Sequence, residues 1–220
     1  MTAFFGPYTE YGAEWLPILA EAALTTIMLS LAGFALAALL GLGLALMQVS
    51  SHAPLRRIAG LYVTVVRGVP LLAVLFLIYF GLPGIGLTFN AFSAAVIGLG
   101  LCFAAQMAEV YRSGLAAIPR GQREAAMAVG MVPVQAFVFI TLPQALRIIL
   151  SPVIVTFVSL VKDSSLASLI TVNELVLTGR AMATEYFLPL QIYVAVGLFY
   201  FAIAWPFSLL SSRLAVRFST

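Results

Sequence analysis

Long uncharged stretches constrain the fold of this chain more than any other feature. Residues 22–47, 68–108 and 187–211 contain no charged side chain. Of the 220 residues, 9% are charged and 63% are hydrophobic, whereas a soluble domain carries about 25% charge. A water-soluble fold of this size cannot bury that much apolar surface, so the chain is predicted to lie in a lipid bilayer.

The uncharged stretches predict helices, because they are continuous and lack the alternation of transmembrane β-strands. At about 20 residues per helical span, the length allows roughly five or six spans. Residues 1–21 contain Tyr8, Tyr11 and Trp15 and are predicted to lie at the membrane interface. The expected fold is one transmembrane domain over residues 1–220, with approximate spans 22–47, 58–80, 91–111, 145–163 and 187–211.

The second span carries an interruption at Arg67-Gly68-Val69-Pro70. Pro70 lacks a backbone donor and disfavours helical geometry at the preceding residue. A kink or a helix junction is therefore predicted at this point.

The stretch 124–143 decides whether there are five spans or six. It contains no charge after Glu124 and would pass for a sixth span, which would place both termini on one side. The first 21 residues carry three Glu and no Lys or Arg, whereas the tail carries Arg213 and Arg217. Because cytoplasmic segments are enriched in Lys and Arg, opposite sides and five spans are favoured, with the N-terminus periplasmic and the C-terminus cytoplasmic.

Residues 118–143 then form a cytoplasmic loop, in which a short helix is expected to start after Pro119. Glu124 is expected to favour the N-terminus of that helix. Gly130 is expected to end it in a left-handed conformation. The residues alone leave two readings open: a surface that docks a partner, or a re-entrant or buried loop that packs on its own bundle.

Several ordered motifs resemble one family of transporters. The run from Ile118 to Ala126, followed by Gly130 and Leu142-Pro143-Gln144-Ala145, resembles the Glu-Ala-Ala loop of bacterial ABC importer permeases. More narrowly, the chain is similar to permease subunits for polar amino acids of the histidine, glutamine, arginine and opine type. The further matching stretches are Arg67–Leu72, Gln106–Gly114, Lys162–Ser168, Glu174-Leu175 and Gly179-Arg180.

The resemblance implies a five-helix permease in the bacterial inner membrane, paired with a second permease that is either the same chain or a paralogue. The other implied partners are an ABC ATPase subunit, a periplasmic or lipid-anchored substrate-binding protein and membrane lipid, with no nucleic acid. The loop becomes a coupling helix that seats in a cleft of the ATPase. Its coupling residues would be Arg120, Gly121, Glu124, Ala125, Ala126 and Gly130.

No ATP site of its own is expected in this chain. Its single lysine, Lys162, does not follow the glycine-rich loop that a P-loop requires. ATP and Mg would therefore bind to the partner ATPase, and no cofactor or metal site is expected here. A membrane enzyme is disfavoured, because one histidine (His52) and one cysteine (Cys102) provide no nucleophile–base or metal constellation. A stand-alone channel or secondary carrier for small polar solutes remains the alternative function.

Polar residues inside apolar helices mark a tentative substrate path, because such groups usually face a cavity or one another. Glu109 could line the path or simply pair with Arg112. A structural role at the broken helix is favoured for Arg67. Glu174 and Arg180 could contact a binding protein or each other. The candidate path residues are Gln106, Glu109, Lys162, Asp163, Ser164, Ser165, Asn173 and Glu174.

Overall fold

The computed structural model describes residues 2–218, and within this range the chain is helical with no strand. Two π-helical turns (Leu77–Gly81 and Phe137–Thr141) and two 3₁₀ turns (Leu82–Ile85 and Ser164–Ile170) adjoin the α-helices. In chain order, the α-helices are α1 (Thr2–Gln48), α2 (Ala53–Gly68), α3 (Leu71–Phe76), α4 (Ala91–Ala116), α5 (Arg120–Ala128), α6 (Pro133–Ala136), α7 (Leu142–Asp163), α8 (Leu175–Tyr186) and α9 (Pro189–Phe218).

Four helical runs are long and apolar enough to cross a membrane: Phe4–Gln48, Ala91–Ala116, Pro133–Ile170 and Pro189–Arg217. A fifth candidate is the pair formed by Ala53–Gly68 and Leu71–Ile85, which is bent by 102°. The described chain thus has the predicted all-helical, multi-pass architecture, and the count reaches five when the bent pair is one span.

The predicted interruption at Pro70 is confirmed as a sharp bend. Val69 and Pro70 are extended, and the Val69 N–H bonds back to the Val66 carbonyl at 3.4 Å. The Pro70 carbonyl accepts from the N–H groups of Ala73 and Val74, which starts α3 in a new direction. Because proline supplies no N–H of its own, α2 cannot continue through this position.

Helix α1 runs without a break from Thr2 to Gln48, so residues 2–21 are helical and continuous with the predicted first span. At 1.5 Å per residue, 47 residues extend for about 70 Å, more than twice the bilayer core. Trp15 is only 2% exposed and stacks on Tyr11 with ring centroids 5.8 Å apart. Tyr186 of α8 packs edge-on against both rings. These aromatics hold α1 against α8 and α9, and their position at the membrane interface stays a prediction.

Side-chain contacts show which helix ends lie together. The Gln48 amide at the end of α1 bonds to Glu109 near the end of α4, whereas the Tyr8 hydroxyl donates to Gln191 at the start of α9. Ser151, early in α7, bonds to Ser211, late in α9. The ends of α1, α4 and α9 therefore share one end of the bundle with the start of α7.

We call this end the basic end and the opposite one the acidic end. The basic end contains the arginines at the start of α2, the end of α4, in α5, near the start of α7 and at the end of α9. These are Arg56, Arg57, Arg112, Arg120, Arg123, Arg147, Arg213 and Arg217. The acidic end receives most of the carboxylates: Glu10, Glu14, Glu21, Glu174 and Glu185, with Arg180 as its one cation within residues 2–218.

Glycines allow α1 and α4 to pack closely. A Cβ at Gly41 would lie 2.5 Å from the Met107 Cβ and 3.0 Å from the Ala104 carbonyl oxygen. Small residues at helix interfaces let backbones approach in membranes, where van der Waals packing drives association. The main core, which includes Leu29, Leu99 and Leu160, forms around this helix pair.

The connection from α4 to α7 differs from the predicted loop over residues 118–143. Only its first part is a separate short helix, α5. From Pro133 onward the chain is already helical, and the π turn at Phe137–Thr141 carries it into α7. A π turn absorbs one extra residue without ending a helix, so the run from Pro133 to Asp163 continues through Pro143.

Candidate functional site

Helix α5 forms an exposed elbow at the basic end, with well-defined ends. It starts directly after Pro119, as predicted, and Gly130 follows it with φ +91°. The Met131 N–H bonds to the Ala126 carbonyl at 3.1 Å, and the Gly130 N–H bonds to the Met127 carbonyl at 3.0 Å. This pair of bonds is a Schellman cap, which needs a left-handed residue at the glycine position. The predicted role of Gly130 as the helix terminator is confirmed.

Most side chains of α5 are exposed. Of the six predicted coupling residues, Ala126 is buried, whereas Arg120, Gly121, Glu124, Ala125 and Gly130 are exposed. Val129, just after the helix, is 78% exposed. Glu124 is the fifth of nine helical residues and lies beyond the first turn, so the expected dipole interaction at the N-terminus was wrong. The described elbow is not a buried loop.

A central cavity of about 470 Å³ lies between the broken span, α4 and α7. It collects charged and polar side chains from three separate segments, beside apolar ones such as Phe103 and Val110. The predicted path residues Gln106, Glu109 and Asp163 meet here. Arg67, for which a structural role was favoured, also lines it, while the backbone at the bend is capped by backbone groups alone. The polar lining residues are Arg67, Gln106, Glu109, Thr156 and Asp163, with Cys102 beside them.

Glu109 is held by two partners at the basic side of this cavity. Arg112 forms a two-pronged ion pair with it, at 2.6 Å and 3.2 Å, which confirms the predicted pairing. The Gln48 amide adds a bond of 3.3 Å. Within residues 2–218 this is the only ion pair. The cavity therefore contains one cation, Arg67, and one carboxylate, Asp163, that form no hydrogen bond or ion pair within the described residues.

The remaining polar residues around Asp163 have different surroundings. Lys162 is exposed and does not line the cavity. The Ser164 hydroxyl is buried and donates to the Val161 carbonyl, and the Ser165 hydroxyl donates to the Lys162 carbonyl. Both serines thus satisfy backbone carbonyls at the end of α7, where the last acceptors of a helix lack partners.

A second cavity of about 520 Å³ opens at the acidic end. Asn173 lies there, separated from the central cavity, together with residues of α1 and the start of α4. Its polar lining residues are Glu21, Thr25, Asn90, Thr171, Asn173 and Thr178. The predicted path residues therefore divide between two cavities rather than forming one cluster.

Glu174 lines neither cavity, because its side chain is fully buried. Its carboxylate accepts from the N–H groups of Val176 and Leu177, at 2.8 and 2.9 Å, and from the Tyr200 hydroxyl at 2.5 Å. It is the N-cap of α8. Burial raises the pKa of this carboxyl, and the three hydrogen bonds act in the opposite direction. Glu174 therefore forms no ion pair with Arg180 in the described residues, and its buried side chain leaves no exposed carboxylate for a binding protein.

Sequence reasoning missed Tyr200 and Thr156 and undervalued Arg67. Tyr200 lies in a span without charges. Nothing in the sequence indicates that its hydroxyl bonds to a buried carboxylate in another helix. Thr156 bonds to the Pro152 carbonyl, as hydroxyls in helices often do. For Arg67 the signal was present, since an arginine inside an apolar span usually faces a cavity.

Residues 37–220 match the family model described as the binding-protein-dependent transport system inner membrane component. The chain belongs to this family. It resembles the probable glutamine ABC transporter permease protein GlnP of Bacillus subtilis, with 34% identity over 97% of this chain and 98% of that protein. The probable amino-acid ABC transporter permease protein YckA of Bacillus subtilis is 37% identical over 89% of this chain and 86% of its own length.

The fold of this inner membrane component also matches a solved structure. The crystal structure of an amino acid ABC transporter with histidines contains a chain that superposes with a TM-score of 0.87. The two are 32% identical, and the match covers 93% of this chain and 96% of the other. The protein is thus an ABC importer permease subunit. It is not an enzyme, because ATP hydrolysis in such transporters belongs to a partner ATPase.

Proposed function

We propose that this permease forms the translocation path of an ATP-driven importer for polar amino acids in the bacterial inner membrane, and that α5 couples the path to the ATPase. In this proposal ATP and Mg bind to the ATPase, and the chain carries no cofactor. A second permease and a substrate-binding protein complete the importer. The N-terminus and the acidic end face the periplasm, and the basic end faces the cytoplasm.

The exposed elbow is the observation that supports coupling most directly. Helix α5 has a fixed start and a fixed end, and it shows small side chains outward at Ala125 and Ala128. Small residues let another backbone approach closely. Ala126 is buried, and α5 is joined to α7 by residues 129–141, which are helical from Pro133 onward. A displacement of the elbow would therefore be passed to the helix that carries Asp163.

The central cavity supports an amino-acid substrate. An amino-acid zwitterion presents an ammonium and a carboxylate, and each needs a partner once water is removed. Arg67 and Asp163 offer one partner of each sign on opposite elements of the cavity. The relatives named for glutamine and amino-acid transport agree with this substrate class.

Ala125→Trp tests the coupling role of α5. Ala125 is exposed and helical, so a tryptophan fits the permease itself and blocks only a closely docked partner. We expect the permease to accumulate normally in membranes, while the ATPase retained on purification falls by at least about tenfold, equivalent to about 1.4 kcal/mol. Substrate uptake should fall with it.

Ala181→Trp is the matched control, because Ala181 is also an exposed helical alanine but lies in α8 at the acidic end. This variant should retain the ATPase. If Ala125→Trp keeps both the ATPase and normal uptake, α5 is not the coupling element. Gly130→Trp is a weaker test, because a side chain at φ +91° strains the turn by itself.

A further inference from the structure

A pocket with two arginines lies at the basic end, where the end of α4, the start of α7 and the end of α9 converge. Its volume is about 620 Å³. Arg147 and Arg217 line it, and none of its lining residues is acidic. We call it the arginine pocket; its other lining residues include Ala117, Ile118, Pro119 and Gln144.

The helix packing explains why the two arginines meet. The Ser151 and Ser211 hydroxyls are 2.9 Å apart, and the Ser151 hydroxyl also bonds to the Ser211 carbonyl at 3.1 Å. These bonds fix the register of the antiparallel pair α7 and α9. Arg147 precedes Ser151 by one helical turn, and Arg217 follows Ser211 by about 9 Å of helix. Both side chains therefore emerge at the same level, at the edge of the apolar bundle.

Neither arginine is neutralised by the described part of the chain. Within residues 2–218 no carboxylate lies within ion-pair distance of Arg147 or Arg217. A neighbouring cavity shares Ile118 and Pro119 with the arginine pocket and adds Arg120 and Arg123 against the single acid Glu124. The local excess of positive charge calls for an anionic ligand.

The position of the pocket identifies the kind of anion. Ile148 lines the pocket and is 39% exposed, and Leu146 and Leu150 are exposed on the same turns of α7. An anion bound here has the exposed apolar side chain of Ile148 beside it, and Leu146 and Leu150 extend the apolar surface around α7, which suits acyl chains. Guanidinium groups bind phosphate through paired hydrogen bonds, and basic pockets between membrane helices are suited to anionic headgroups. We propose that the arginine pocket binds the phosphate of an anionic phospholipid whose acyl chains lie along α7.

Lipid binding to the purified permease complex tests this site. Phosphatidylglycerol and phosphatidylcholine are titrated separately into delipidated protein in detergent, and bound lipid is counted by native mass spectrometry. We expect wild type to prefer phosphatidylglycerol. The double variant Arg147→Gln/Arg217→Gln should lose this preference, at about fivefold in affinity per arginine. Arg56→Gln/Arg57→Gln removes the same charge from exposed residues at the same end and should keep the preference.

Three outcomes would overturn the proposal. Equal losses in both double variants would indicate general surface charge rather than a site. Full competition by millimolar inorganic phosphate would assign the pocket to a free anion. Loss of the ATPase with unchanged lipid preference in Arg147→Gln/Arg217→Gln would assign it to the partner protein. If that double variant does not fold, Arg147→Lys and Arg217→Lys replace it, and each should weaken phosphatidylglycerol binding, because lysine lacks the paired donors.

Discussion

At the scale of single residues, the ability of the central cavity to bind a ligand depends on which charged side chains already have partners within the chain. Glu109 is occupied by Arg112 and Gln48, and Glu174 is occupied by the cap of α8 and by Tyr200. Asp163 has no such partner and faces the cavity that Arg67 also lines. Of these three carboxylates, Asp163 is therefore the one that we propose as the partner of a substrate ammonium.

Asp163→Asn should reduce uptake while leaving the transporter assembled. A hydrogen bond between charged groups contributes about 1.5–3 kcal/mol, so the apparent affinity for substrate should fall by roughly 10- to 100-fold. Uptake of labelled amino acids at several concentrations measures this change. Glu10→Gln, which removes an exposed carboxylate at the acidic end, serves as the control. An unchanged concentration dependence in Asp163→Asn would remove Asp163 from the path.

The residue-level predictions succeeded where the signal was local. Gly130 and the Glu109–Arg112 pair follow from spacing within one helix or turn, and both are confirmed. Glu174 could not be placed in this way, because its partner Tyr200 is 26 residues away in another helix. Arg67 and Asp163 likewise line one cavity although they lie 96 residues apart, in different helices.

At the scale of helices, α1 and α4 pack closely at Gly41. An added methyl group there meets the backbone of α4 as well as Met107, and backbone cannot move aside as a flexible side chain can. Gly41→Ala should destabilise the protein by about 1–3 kcal/mol through overpacking. The thermal unfolding midpoint of the detergent-solubilised permease measures this effect.

Gly43→Ala is the matched control, two residues further along the same helix, where an added Cβ meets nothing within 4 Å. It should leave the midpoint unchanged or slightly raised, because alanine favours helix. Equal effects of the two substitutions would contradict the close packing of α1 on α4.

Helix positions were more predictable than helix lengths. Long apolar stretches with few charges located the candidate spans of residues 2–218, because burial in lipid disfavours charge. They did not reveal that α1 starts near residue 2 or that the run leading into α7 starts at Pro133, since both extensions depend on packing against other helices or on a π turn. Pro7 and Pro17 lie inside α1, and Pro143 lies in the first turn of α7, so none of them ends a helical run.

At the scale of the whole molecule, the separation of charge between the two ends predicts the orientation. In a Cys102→Ala background, a cysteine at Thr9 should react with a membrane-impermeant maleimide on intact spheroplasts. Cysteines at Ser51 and Ser212, which belong to the basic end, should react only after permeabilisation. All three positions are exposed, so access to the reagent depends on the side of the membrane. Labelling of all three from the same side would contradict the five-span topology.

We propose that this permease transports only when a separate ATPase drives it. Reconstitution in liposomes measures this directly, by comparing uptake of labelled polar amino acids by the permease alone with uptake by the complete importer. We expect accumulation that requires the ATPase, the binding protein and ATP, with the permease alone no faster than protein-free liposomes. Uptake by the permease alone at a rate comparable to the complete importer would contradict the ATP-driven mechanism and identify a channel or secondary carrier.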